Sequence, residues 1–142
     1  MSKSDTFEND LLKLIFQGIA IANLADNAAS SPLGNLYVAL HTADPGEAGT
    51  QSTNECTYTP YARVAVPRNS TGFTVTGSNV SPVNDVNFPT ATSGSETATH
   101  FSIGTAASGA GKILYSGTLS PTIAIANTVP PVITNGTTIS ED

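Results

Sequence analysis

The chain has 142 residues, of which 39% are hydrophobic and 11% charged, with a formal net charge of −6 at pH 7. That length fits one domain with a single core, and so acidic a balance argues against nucleic acid or a lipid surface as partner. A single cysteine, Cys56, excludes an intramolecular disulfide, so the chain is not a disulfide-stapled miniprotein.

The stretch DTFENDLLKLIFQGIAIANLAD, residues 5–26, predicts the one helix. Asp5 and Glu8 have the spacing of a capping box. Phe7, Leu11, Ile15 and Ile19 recur every four residues, Leu12 and Phe16 widen that stripe, and Leu14 and Ile21 lie off it. A helix apolar on more than one face needs cover from its own domain or from another subunit. Phe7, Leu11, Leu14 and Ile15 are therefore candidate contact residues, and a symmetric homo-oligomer, a trimer for preference, is the expected way to bury them. Asp5, Glu8 and Asp10 precede the apolar run, and Lys13, Gln17 and Asn23 interrupt it. The segment is thus expected to be neither a signal peptide nor a membrane span, which points to a protein made for the cytoplasm. SSPLG, residues 30–34, closes it.

Beyond residue 35 the period changes. NLYVALHT, TPYARVAVPR, GFTVTG, DVNF, ATHFSIG, KILYSG, TIAIAN, PVIT and TTIS are short, rich in Val, Ile, Thr and Tyr, and separated by Gly, Pro or Asn. Ser and Thr, roughly a quarter of the chain, suit strands better than helices. The pattern predicts an antiparallel, jelly-roll-like β-sandwich over residues 30–142, preceded by the helix and its linker over residues 1–29, as a single domain. In LYVALH, Leu36, Val38 and Leu40 fall on one side of the strand, with Tyr37, Ala39 and His41 on the other. Residues 45–57 and 93–99 form polar loops that are long for hairpins.

Chemical motifs are sparse. HTADPGEAG, residues 41–49, groups His41, Asp44 and Glu47, but each residue of its DPG core has a turn function: Asp accepts a local bond, Pro fixes φ, and Gly takes the permissive position. GTAASGAGK, residues 104–112, fails as a phosphate-binding loop, because Ala106 stands where a glycine is needed and Ile113 follows the lysine. It reads as a hairpin loop. No G-x-S-x-G elbow occurs, Cys56 adjoins Glu55, and His100 lies in a strand pattern. The expectation is a protein that is not an enzyme, with no cofactor and no metal site. Tyr58, Tyr61, Arg63 and Arg68 cluster around VAVP. They read as ordinary solvent-facing residues or, more sharply, as interface anchors.

In order and spacing, DLLKLIFQG, LYVALHTADPGEAG, YARVAV, NFP, ATHFSIG, GKILYSGTL and ITNGTTISED span almost the whole chain. So arranged, the chain resembles a family of tailed-bacteriophage virion structural proteins, whose members are labelled tail fibre, minor tail or capsid decoration proteins. The resemblance implies a virion component assembled in the bacterial host and contacting the major capsid protein or tail proteins. It brings no catalytic residues. Capsid decoration, as a cement stabilising the head, is the first expectation. A tail fibre or minor tail protein is the alternative, and a carbohydrate-binding host-recognition module, suggested by the polar loops and four tyrosines, is a further one.

Overall fold

The computed structural model describes residues 5–21 and 32–141. Helix α1 (Asp5–Leu12) runs into one π-helical turn, Lys13–Gln17. Nine strands follow among the described residues: β1 (Asn35–His41), β2 (Val64–Pro67), β3 (Phe73–Thr76), β4 (Asn79–Pro82), β5 (Val86–Asn87), β6 (Glu96–Gly104), β7 (Ile113–Ile125), β8 (Val132–Ile133) and β9 (Ile139–Ser140). The protein is mainly β and antiparallel with one N-terminal helix, as the sequence predicts. Its residues form two compact units, one drawn from 1–35, 66–85 and 134–142, the other from 36–65 and 86–133.

The first unit joins the helix to a small sheet of order β3-β4-β9. The helix stops at Gly18, whose φ of 68° is left-handed and whose N–H returns to the Lys13 carbonyl, a conformation glycine adopts without steric cost. The expected helix is therefore shortened; its residues 22–26, and the start of SSPLG, lie outside the described residues, as does the side chain of Asp5 in the expected capping box. The buried face also differs. Leu12 and Phe16 are fully buried and Glu8 nearly so, whereas Phe7 is 37% and Ile19 50% exposed. Leu12 and Phe16, expected at the flank of the stripe, are its buried centre together with Glu8, while Leu11 and Ile15 are half-buried. The reason is tertiary: the Phe16 ring meets Phe73 edge-on at 4.9 Å, and the flanking amides of Gln17 and Asn9 donate to the carbonyls of Phe73 (3.2 Å) and Gly77 (2.7 Å).

Strand β4 had no sequence signal, since NVSP is polar and ends in proline. It forms because Val80 is buried between Val75 of β3 and Ile139 of β9. Nearby, the Asn69 carboxamide oxygen accepts from the Thr71 N–H (2.8 Å) and hydroxyl (2.6 Å), so Asn-Ser-Thr here is turn chemistry.

The second unit contains β1, β6 and β7 of the four-stranded sheet β2-β1-β6-β7, and the pair β5-β8. β1 pairs with β6 from Tyr37↔Gly104 to His41↔His100. Leu36, Val38 and Leu40 are buried as the alternation predicts, but so are Ala39 and His41. The loop after β1 covers that second face: the Cys56 N–H donates to the Leu40 carbonyl at 2.9 Å and the Thr42 N–H to Asn54 at 2.8 Å. The expected strands KILYSG and TIAIAN are one strand, β7. Thr118 pairs with His100 and Ile123 with Ala98, so residues 119–122 bulge past Thr99, and the bulge accommodates Pro121, which a regular ladder would exclude.

Candidate functional site

The side chains with chemistry lie along β1, because the loop after it runs back from His41 towards Tyr37, where the register with β6 sets the β6–β7 hairpin loop. Asp44 begins this loop as predicted: its carboxylate accepts the Gly46 N–H at 2.8 Å, and Gly46 takes a φ of 72°. Asp44 and Glu47 are exposed. His41 is drawn the other way. It is fully buried, with Nδ1 2.8 Å from the Thr53 carbonyl and Nε2 2.8 Å from the Ser102 hydroxyl. A carbonyl can only accept, so Nδ1 carries the proton and Nε2 receives the serine O–H. Burial holds the His41 pKa below its ordinary value, opposed by the Thr53 carbonyl and by Glu55. The Ser102–His41 spacing suits a nucleophile and its base, but both residues are sealed from solvent. What the pair does physically is tie the loop to β6.

A second brace centres on Arg63. Its Nε and Nη2 donate to the two carboxylate oxygens of Glu55 at 2.6 and 2.8 Å. Its remaining donors reach the carbonyls of Ala106 (2.9 Å) and Gly109 (2.6 Å) in the hairpin loop. The hydrogen bonds to Glu55 push the guanidinium pKa up, against the effect of burial. Tyr61 completes the cluster: its hydroxyl donates to Glu55 at 2.9 Å and accepts the Leu40 N–H at 3.1 Å. Burial raises the Tyr61 pKa strongly. Bidentate pairing with four of the five guanidinium donors engaged is the arrangement in which a buried ion pair is tolerated.

Gln51 makes the third brace. Its side chain donates to the Tyr37 carbonyl at 2.9 Å and accepts the Ala106 N–H at 3.2 Å. It passes so close to Gly104 and Gly111 that a Cβ on either would lie within 2.4 Å of its carboxamide. Glu96 supplies a fourth, accepting the N–H groups of Thr57 (2.8 Å) and Tyr58 (3.0 Å) and the Thr57 hydroxyl (3.0 Å).

Of the predicted interface residues, Tyr58 and Arg63 are buried at 3% and 9% exposure, which overturns the solvent-facing reading for both. The Tyr58 hydroxyl donates to the Pro89 carbonyl at 2.9 Å. Its ring meets Tyr61 edge-on at 5.4 Å, and Tyr61 stacks on Phe88 at 6.4 Å. Arg68 lies in the other unit and caps the helix end, donating to the carbonyls of Ile15 (2.5 Å) and Leu14, where the final helical carbonyls lack partners. Leu11, Leu14 and Ile15 are half-buried, and Phe7 is exposed. Cys56 is buried, and burial, with Glu96 and Glu55 nearby, pushes its thiol up to about 12. His100 is half-buried between the hydroxyls of Thr99 (2.9 Å) and Thr118 (3.4 Å).

Sequence reasoning missed Gln51, Glu55, Glu96 and Ser102 as braces. A signal was present in retrospect: acids and amides set amid Thr and Ser loops, opposite a glycine-rich hairpin. Among the described residues, no group of His, Cys, Asp and Glu could hold a metal ion, and no helix is long and apolar enough to cross a membrane.

Residues 2–139 match a family of phage fibre proteins, and the chain is accordingly a phage virion structural protein. The family is described as podophage GP4 fiber I protein gp80, and the chain belongs to it. No curated protein matches the chain.

Proposed function

We propose that the chain is a structural subunit of a phage tail fibre, acting through protein–protein contacts rather than catalysis. The observation that carries this reading is the family match to a fibre protein over residues 2–139, nearly the full length. The geometry agrees with it. Loops that join β1 to β2 and β6 to β7 are held by hydrogen bonds of Arg63, Glu55, Gln51 and His41. Such loops present a fixed surface to neighbours. In this reading the partners are other tail proteins and further copies of the chain, and assembly takes place in the host cell before release.

Capsid decoration, the first expectation from sequence, has no feature of the fold in its favour that the fibre reading lacks. Localisation separates them: a tag at the C-terminal end, imaged on intact particles, is expected at the tail in few copies. Label distributed over the head in many copies would refute the fibre assignment. A glycan array with the purified chain tests host recognition by sugar binding, for which saturable binding is the required result.

A further inference from the structure

Asn135 and Gly136 form the one Asn-Gly step in the sequence. The Thr137 N–H donates to the Thr134 carbonyl at 3.0 Å, so the two residues occupy the central positions of a β-turn just before β9. Both are exposed. The turn is moored by its backbone, because the Asn135 N–H donates to the Asp85 carboxylate at 2.8 Å. The Asn135 carboxamide is held far less firmly. Its Nδ2 lies 3.4 Å from the Val83 carbonyl, longer than an ordinary hydrogen bond, and no described residue donates to its oxygen.

Gly136 supplies the reacting partner. Its N–H has no acceptor among the described residues, and the missing side chain leaves that nitrogen uncovered. A bond from this nitrogen to the Asn135 Cγ closes a small ring, so the two groups meet without any encounter between molecules. We propose that Asn135–Gly136 is a self-modification site. The Gly136 nitrogen gives up its proton and attacks Cγ; the new C–N bond forms as the Cγ–Nδ2 bond breaks, and the side-chain nitrogen leaves with that proton as ammonia. Water then opens the cyclic imide at one carbonyl to give aspartate or at the other to give isoaspartate. One water is consumed and one ammonia released, with no oxidant or reductant. Asn69 shows the protected case: serine follows it, and its carboxamide oxygen is held by the Thr71 N–H and hydroxyl.

The product acts on β9. This strand has only Ile139 and Ser140, paired with Val80 and Asn79 of β4, and the Glu141 N–H extends the contact to the Ser78 carbonyl at 2.9 Å. Isoaspartate carries the main chain through its side-chain carbon, which adds a backbone atom between the Asp85 mooring and β9. Aspartate sets an acceptor against the Val83 carbonyl where an amide donor stood. Either product adds negative charge to a chain already at −6. Conversion therefore slackens β9 on β4 as the protein ages. The site does not rest on the fibre reading, since the reaction needs only this turn and water.

The test ages the full chain in mildly alkaline buffer and follows it by peptide mass spectrometry, with Gly136→Ala as the blocked variant. A Cβ at Gly136 would meet only the Thr134 Oγ1, at 3.8 Å, and the glycine is not left-handed, so the variant keeps the fold. In the wild-type chain the peptide holding residues 135 and 136 should gain the mass of an acid over an amide and become a substrate for isoaspartyl methyltransferase. The peptide holding Asn69 should stay unchanged. Gly136→Ala should convert about tenfold more slowly or worse, because its Cβ crowds the attacking nitrogen. Hydrogen exchange in β9 and β4 should quicken in the aged wild-type chain and hold steady in the aged variant. Conversion of Asn135 only after unfolding in urea, equal rates in wild type and variant, or unchanged β9 exchange in the converted chain would each overturn the proposal.

Discussion

Two glutamates of the same loop, Glu47 and Glu55, have opposite fates, and the two units differ in a similar way. Glu47 is exposed in the turn, while the Glu55 side chain is 16% exposed and joined to Arg63. In the first unit the helix is fastened by aromatic and aliphatic burial, with Arg68 closing its end. In the second, polar side chains enter the interior and bind loop backbone. Apolar packing is enough where a helix lies on strands, because a helix satisfies most of its own backbone groups. A long loop cannot do so, and side chains must supply the missing partners.

The largest expected effect tests the apolar side of this comparison. Phe16→Ala should destabilise the fold by about 3–5 kcal/mol, the usual cost of emptying a buried phenylalanine site, and hydrogen exchange should quicken first in β3 and β4. Next comes the polar side. Arg63→Ala should cost about 3 kcal/mol, the low end of the usual range of about 3–5 kcal/mol because Glu55 retains some access to water. Limited proteolysis should then cut the 105–111 loop sooner. Arg63→Lys should not rescue it, since an ammonium lacks the forked donors that engage Glu55 and both carbonyls.

A pH effect should follow from His41. Its folded pKa lies below the unfolded value of 6.5, so the unfolded chain binds the proton more readily. The contribution is fully present above about 6.5 and is lost as pH falls from there towards the folded value. Denaturant midpoints measured from pH 7.5 down to pH 4.5 should fall more steeply for the wild-type chain than for His41→Gln; equal slopes would remove His41 as the cause. The smallest effect is expected at Glu47, where Glu47→Ala should change stability by no more than about 0.5 kcal/mol. A larger loss would mean that the turn acids matter as much as the buried one.

Much of the β-organisation was legible because it depends on local rules. The strand LYVALH with Leu36, Val38 and Leu40 buried, the turn at Asp44–Gly46 and the hairpin loop after β6 all follow from pleat geometry and turn chemistry; burial of Ala39 and His41 on the other face does not. The errors share a cause. β4 has no apolar alternation to announce it, and β7 runs through a proline that sequence rules treat as a break. The helix carried one broad apolar stripe, and packing against Phe73 centred its buried part on Leu12 and Phe16. The buried braces were least visible of all, because Gln51 and Ser102 are ordinary loop and strand residues until a residue distant in sequence reaches them.

The sequence by itself determined that this chain is acidic, strand-rich and preceded by one helix, and it carried the resemblance to phage virion proteins. These are properties of composition and short-range pattern, which survive without knowledge of contacts. Only the tertiary structure decided which helical face is buried, that Arg63 and Tyr58 turn inward, and that β7 is left at the edge of its sheet. Those outcomes depend on partners separated by tens of residues, and periodicity along the chain carries no information about them.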